Sequence, residues 1–143
     1  MAAKSSTFDN DLLKLIFNAT PIANLSDNAA GAPLTNLYVS LHTSSPAVGG
    51  SQSTNEAAYT GYARVALART AGGWTVTGSS VSPAATISFP TATAGTETEA
   101  FFAVGTASAG AGKVLYFGAL APAITIAAGG IPQLTTASAI TES

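Results

Sequence analysis

The stretch LYVSLH at residues 37–42 decides the fold class of this chain. Its odd positions are Leu, Val and Leu and its even positions are Tyr, Ser and His. This period of two predicts a β-strand with one buried face. About eight short strands of this kind, separated by Gly and Pro turns, predict an all-β fold, a jelly-roll-type β-sandwich. The clearest segments are 37–42, 62–70, 85–89, 99–106, 114–120 and 124–127.

The N-terminal segment carries a helical pattern instead. Phe8, Leu12, Leu15, Ile16 and Ala19 are spaced as one face of a short α-helix. The sequence therefore predicts a single domain over residues 1–143, with an N-terminal helix at 6–20, a loop at 21–36 and the β domain at 37–143. Thr20-Pro21 ends the helix because the residue before proline avoids the α region. Pro122 is expected to separate the strands at 114–120 and 124–127.

The composition narrows the function classes. Only 8% of the residues are charged, and the net charge is −2. Five scattered Lys and Arg residues cannot form the dense cationic patch that nucleic acid requires, so we expect no nucleic-acid binding. We expect no membrane association, because no stretch is apolar enough to span a bilayer and the N-terminus lacks the apolar run of a signal peptide. A chain with so little charge suits an assembly in which neighbours cover its surface.

The sequence offers little for catalysis. The single histidine, His42, sits in a strand, and there is no cysteine. Glu97 and Glu99 share a strand face two residues apart, where we expect two solvated surface acids; a weak cation site is the alternative. No nucleophile elbow, HExxH motif or glycine-rich phosphate loop is present. We therefore expect no enzymatic activity, no catalytic residues, no cofactor, no metal site and no small-molecule substrate.

The segment around residues 55–64, NEAAYTGYAR, is the most informative for contacts. Glu56 is placed to pair with Arg64 and tie the loop to the following strand. Tyr59 and Tyr62 have flat rings with polar tips, which suit either internal packing or an interface. The long, weakly charged segments at 17–36 and 43–61 are the expected contact regions. The candidate interface residues are Phe17, Ile22, Leu25, Leu34, Tyr59 and Tyr62.

Several motifs together resemble a family of short virion proteins from tailed phages. The resemblance rests on PLTNLYVSLHT at 33–43 with Pro46, on Asn55-Glu56, and on YTGYAR at 59–64. It continues through Gly73-Trp74, FFAVGT at 101–106 and LYFGAL at 115–120. Members are often labelled tail-fibre-like, and some jelly-roll proteins of similar size act as cement proteins on phage heads.

The resemblance implies a structural role in the virion. We expect a capsid cement or decoration protein, made in the host cytoplasm, that binds the major capsid protein on the capsid exterior and stabilises the head, with a homo-oligomer on the particle. The short chain favours this function because 143 residues without a repeat cannot form a fibre shaft. The alternatives are a tail-associated, tail-fibre-like protein and a carbohydrate-binding receptor module.

Overall fold

The structure, a computed structural model, describes residues 6–22 and 33–142, and its chain forms two compact units. The helix unit contains the described residues of 1–36, 67–86 and 135–143, and the sheet unit contains 37–66 and 87–134. The organisation of residues 1–143 as one domain stays a prediction. The mostly-β fold with one short N-terminal helix is confirmed. The elements are α1 (Ser6–Asn18), β1 (Asn36–His42), β2 (Val65–Ala68), β3 (Trp74–Thr77), β4 (Ser80–Pro83), β5 (Ile87–Ser88), β6 (Thr98–Gly105), β7 (Val114–Thr125), β8 (Gln133–Leu134) and β9 (Ile140–Thr141).

Helix α1 forms where the sequence predicts it, but it buries a different face. Leu13 and Phe17 are fully buried, whereas Phe8, on the helical face that the spacing defines, is exposed. That face is therefore not the most buried one. The reason lies in the partner surface, because the Phe17 ring packs edge-to-face on Trp74 with centroids 4.7 Å apart. Residues 12–17 are apolar at five of six positions, so helical periodicity alone could not choose the side.

The C-terminal end of α1 is capped by its own backbone and by an arginine that is far away in the sequence. Ala19 has a φ of 52°, in the left-handed region that commonly follows a helix. The helix has no basic residue in its last turn. Arg69 supplies the missing cation, because its guanidinium donates to the carbonyl oxygens of Ile16 at 2.7 Å and Leu15 at 2.8 Å. Positive charge at this end also complements the helix dipole.

The helix unit contains a three-stranded sheet in the order β3-β4-β9, with antiparallel pairing. Strands β3 and β4 are joined through Gly78-Ser79, since Thr77 faces Ser80 in the register. Gly78 has a φ of 59°, which such a two-residue hairpin turn requires.

The sheet unit contains a four-stranded sheet in the order β2-β1-β6-β7 and a separate β5-β8 pair. Strand β1 pairs antiparallel with β6, placing Val39 opposite Val104. Leu37, Val39 and Leu41 are buried, as the alternation predicts. The prediction that β1 is only half-buried is wrong, however, because Ser40 and His42 on its other face are also fully buried.

Strand β7 runs without interruption through Pro122, so the predicted division into strands at 114–120 and 124–127 is wrong. Because β7 is the last strand of its sheet, a residue without an N–H can be accommodated there. The register between β6 and β7 shifts between Glu99 and Phe101, which leaves extra β7 residues opposite this part of β6. Pro122 lies in that irregular part of the strand.

Candidate functional site

The long loop after β1 returns alongside that strand. The Thr43 N–H donates to the Asn55 carbonyl at 2.9 Å, and the Ala57 N–H donates to the Leu41 carbonyl at 2.8 Å. His42 and Glu56 form an isolated antiparallel bridge between these two bonds. The returning segment therefore pairs with the end of β1, and its Thr54 carbonyl contacts the buried His42 ring.

Gln52 anchors the same loop from its interior. Its side chain is fully buried, donates to the Tyr38 carbonyl at 3.2 Å and accepts from the Ala107 N–H at 2.9 Å. Glycines make the space for it, because a Cβ at Gly105 would lie 2.1 Å from Gln52 and one at Gly112 would lie 2.2 Å from it. The glycines at 105 and 112 are thus required by packing.

Glu56 and Arg64 form the predicted ion pair, which is confirmed. The guanidinium contacts both carboxylate oxygens, with Nε–Oε1 at 2.6 Å and Nη2–Oε2 at 2.7 Å. Arg64 also donates to the carbonyls of Ala107 at 2.9 Å and Gly110 at 2.6 Å. The hydrogen bonds that the guanidinium donates to Glu56 raise the pKa of Arg64. This arginine therefore joins the loop, the strand entry and the turn that precedes β7.

Tyr62 extends that ion pair into the sheet. Its hydroxyl donates to Glu56 Oε1 at 2.9 Å and accepts from the Leu41 N–H at 3.2 Å. Burial raises the pKa of Tyr62, so the hydroxyl keeps its proton. Tyr59 packs edge-to-face on Tyr62 with centroids 5.3 Å apart, and burial raises the pKa of Tyr59 to about 12. Both rings serve internal packing in this arrangement.

His42 is held between two neutral partners. Its Nδ1–H donates to the Thr54 carbonyl at 2.9 Å, and Nε2 lies 2.9 Å from the Ser40 hydroxyl. Burial lowers the pKa of His42, so the neutral ring accepts a hydrogen bond from Ser40 at Nε2. A serine next to a histidine would suit nucleophilic catalysis if a substrate could reach it. Both side chains are 0% exposed, so this arrangement presents no nucleophile to solvent.

The two glutamates near the start of β6 lie in different environments. Glu97 Oε1 accepts from the N–H groups of Ala58 at 2.8 Å and Tyr59 at 2.6 Å. Glu99 is 0% exposed, and neither of its carboxyl oxygens has a hydrogen-bond partner. The prediction of two solvated surface acids is therefore wrong. Among the residues that the structure describes, no three His, Asp or Glu side chains are grouped in a way that could hold a metal ion.

The structure separates the candidate interface residues by exposure. Leu34 is exposed, Ile22 and Tyr62 are half-buried, and Phe17 and Tyr59 are buried. Leu25 lies outside the described residues. Among the candidate residues that the structure describes, Leu34 is the one whose large apolar side chain is exposed to solvent. The role of all six in an interface stays a prediction.

Other exposed apolar side chains have no distinct sequence signal. Val48 is 95% exposed on an ordered turn, where Ala47 has a φ of 63° and Gly49 a φ of 89°. Asn55 holds this turn by donating its side-chain amide to the Ser45 carbonyl at 2.9 Å. In the described residues, the large apolar side chains that are exposed are Phe8, Leu34, Val48, Phe117 and Ile131.

A small apolar pocket in the sheet unit has a volume of about 100 Å³. Its lining contains no charged residue and is formed by Ala92, residues 124–127 and residues 130–132. The volume is well below the roughly 300–1,000 Å³ of typical small-molecule sites. In the described ranges 6–22 and 33–142, no helix is long and apolar enough to cross a membrane.

The chain matches no curated protein. Residues 3–141 match the protein family described as podophage GP4 fiber I protein gp80. The match includes the helix, both compact units and every motif on which the resemblance to tailed-phage virion proteins rests. This chain therefore belongs to the podophage GP4 fiber I protein gp80 family, a family of tailed-phage virion proteins.

Proposed function

We propose that this phage structural protein is a tail-fibre component that holds its place by apolar and backbone contacts. The observation that carries the location is the family description, which names a fibre protein of a podophage and applies to residues 3–141. Residues 1–143 contain no repeat of the kind from which a fibre shaft is built. The chain therefore acts as a short fibre element, such as a connector or a tip, and assembles there as a homo-oligomer.

The second candidate is a cement protein on the capsid exterior, bound to the major capsid protein. The small β-rich units and the low charge favour it, because a cement protein stabilises a shell by burying surface across subunit joints. The jelly-roll sandwich expected from the sequence belongs to this candidate and stays a prediction. A carbohydrate-binding receptor module has less support, because Trp74 and Tyr59, two aromatic side chains of the kind that stack on sugar rings, are buried.

The charges support the proposed mode of attachment. Arg64 and Arg69 use their guanidinium groups inside the chain, and Glu56 and Glu97 accept hydrogen bonds there. Exposed ion pairs would contribute only about 0–1 kcal/mol each. Apolar burial contributes roughly 25 cal/mol per Å², reduced by the cost of association. The contact segments proposed are 17–36 and 43–61, with Leu34 and Val48 as apolar anchors.

The location is tested by imaging intact particles of the phage. Antibody-gold labelling or an image reconstruction should place the protein at the tail, in a small number of copies. A regular lattice of density over the head would show the cement candidate to be correct and the fibre proposal wrong.

The mode of attachment is tested separately, by washing particles. Attachment should survive about 1 M NaCl, where the Debye length is roughly 3 Å. Val48→Ser and Leu34→Ser should lower retention at every salt concentration, whereas Lys113→Ser, which changes an exposed cation, should not. Release of the unaltered protein by salt alone, with its circular dichroism unchanged, would contradict the proposal.

The protein is also proposed to be non-enzymatic. The buried Ser40–His42 pair supports this, since neither side chain is accessible. Purified protein should not hydrolyse esters, peptides or glycans. Turnover of any of these that disappears in His42→Ala, in a variant shown to be folded, would contradict it.

A further inference from the structure

Glu99 is a buried carboxyl group close to a second glutamate, Glu97, and neither the fold nor the proposed function requires this arrangement. The two residues are two positions apart, one just before β6 and one inside it. Glu99 is 0% exposed and both of its oxygens are without a hydrogen-bond partner. An ionised carboxylate in that position would lose its hydration and gain nothing in return. A protonated carboxyl group removes the charge and becomes a donor.

Glu97 is the charged side chain that acts on Glu99. One of its oxygens, Oε1, is occupied by the N–H groups of Ala58 and Tyr59. These two bonds hold the Glu97 side chain in place just before β6. Burial raises the pKa of Glu99 to about 8, with a smaller contribution from the negative charge of Glu97. A proton on Glu99 therefore removes a repulsion between two neighbouring carboxylates.

The segment held by Glu97 is tied down at several points. Tyr59 is 4% exposed, and its hydroxyl donates to the Pro90 carbonyl at 3.0 Å. The Thr60 N–H donates to the Ala94 carbonyl at 2.9 Å, and the Thr93 N–H donates back to Thr60. These bonds close residues 58–60 over the start of β6. A second negative charge beside Glu97 would disturb them first.

The groups that surround the pair leave no alternative counter-charge among the described residues. On the 58–60 segment the titratable group is Tyr59, whose own pKa is raised by the charges of Glu99 and Glu97 after burial. On β7 the register partner of Glu99 is Ile124, which is uncharged. On β6 itself, residues 100–105 carry no charge.

We propose that Glu99 keeps a proton at neutral pH, and that this proton latches residues 58–60 to the start of β6. When the proton is lost in alkaline solution, two adjacent carboxylates repel, the hydrogen bonds from Ala58 and Tyr59 to Glu97 weaken, and the segment opens. The latch controls access to Tyr59, one of the candidate interface residues.

The test is carbon-13 NMR of the side-chain carboxyl groups in the full chain, combined with amide hydrogen exchange. One glutamate should titrate with a midpoint near pH 8, and that titration should vanish in Glu99→Gln, which has the shape of the protonated side chain. Glu97→Gln should lower the midpoint, whereas the control Asp11→Asn, at an exposed helix position, should not change it. Above the midpoint, the protection of the Ala58 and Tyr59 amides, corrected for intrinsic exchange, should fall about tenfold per pH unit.

Several outcomes would overturn the proposal. Titration of every glutamate below about pH 5 would show that Glu99 carries no proton at neutral pH. An unchanged midpoint in folded Glu97→Gln would show that the two groups are not a pair. A midpoint lowered by 10 mM calcium or magnesium would show that the pair binds a cation instead. Amide protection that stays constant through the titration would show that the proton does not act as a latch.

Discussion

The replacement Arg64→Met tests whether the loop after β1 is held by a buried charge network. Methionine keeps an apolar stem of similar length and removes the guanidinium. The arginine side chain is 2% exposed and that of Glu56 is 17% exposed, so neither charge is well hydrated. The substitution removes the two bonds to the carboxylate and the two to the carbonyls of Ala107 and Gly110. Glu56 would keep only the Tyr62 hydroxyl as a bonded side-chain partner among the described residues.

The expected loss is large because one charge is left behind. Removing one partner of a buried ion pair typically destabilises a protein by about 3–5 kcal/mol. Native proteins have a total stability of about 5–15 kcal/mol, so the loss is a large part of it. For a chain of this size it corresponds to a decrease in the midpoint of thermal unfolding of roughly 10–20 °C. Arg64→Lys should destabilise the protein less than Arg64→Met does, because an ammonium keeps the charge. It should still cause a loss, because an ammonium cannot bond both carboxylate oxygens in parallel.

Urea unfolding followed by far-ultraviolet circular dichroism measures the effect, and a double-mutant cycle with Glu56→Gln isolates the pair. The two single changes should together exceed the double change by about 2–3 kcal/mol, because each single change leaves the other member of the pair unsatisfied. Lys113→Met is the matched control, since it removes an exposed cation of the same unit and should change stability by less than about 0.5 kcal/mol. A loss below about 1 kcal/mol for Arg64→Met would refute the reasoning and place the pair among ordinary surface ion pairs.

Three further predictions concern other parts of the chain. Arg69→Leu should destabilise the helix unit by about 1–3 kcal/mol, because α1 loses its terminal hydrogen-bond donor; amide exchange over α1 would show it, and unchanged protection would contradict it. Gly112→Ala should force Gln52 out of its buried site and lower the unfolding midpoint, whereas Gly49→Ala meets no neighbouring atom and should cost only its backbone strain. Below pH 6.5 the chain should lose stability, because burial lowers the pKa of His42 and the unfolded state then binds the proton more readily; a folded His42→Gln variant should lack this dependence in urea titrations at pH 5 and pH 7.

The sequence predicts the strands more reliably than it predicts their surroundings. Alternation at residues 37–42 identifies β1 and its buried Leu and Val face correctly, because that face depends only on the strand and the core. The opposite face carries Ser40 and His42, and nothing within the strand indicates that the later loop segment at 54–56 would contact His42. The burial of Glu99 is likewise not visible in its sequence neighbours.

The pair of Glu56 and Arg64 shows the opposite case. It could be predicted because both residues flank one turn, and opposite charges eight positions apart at a strand entry have few other ways to be satisfied. The carbonyl partners of Arg64 at residues 107 and 110 could not be predicted, since backbone oxygens have no sequence signature. Similarly, Gln52 has no sequence signal beyond the glycines at 105 and 112, whose packing role becomes visible only in the structure.

These contacts show what several of the few charged residues do in the structure. Low charge in the sequence indicates a surface covered by neighbours, but it does not say where the remaining charges lie. Two of the five basic residues, Arg64 and Arg69, bind backbone carbonyls inside the chain. Glu56, Glu97 and Glu99 are committed to the interior or its edge. Arg64, Arg69, Glu56 and Glu97 thus fix loops and a helix end, whereas the apolar side chains of Leu34 and Val48 remain exposed. A particle contact built on such a surface depends on its shape and apolar area, which is why we expect attachment to resist salt and to be sensitive to single polar substitutions at positions such as Val48.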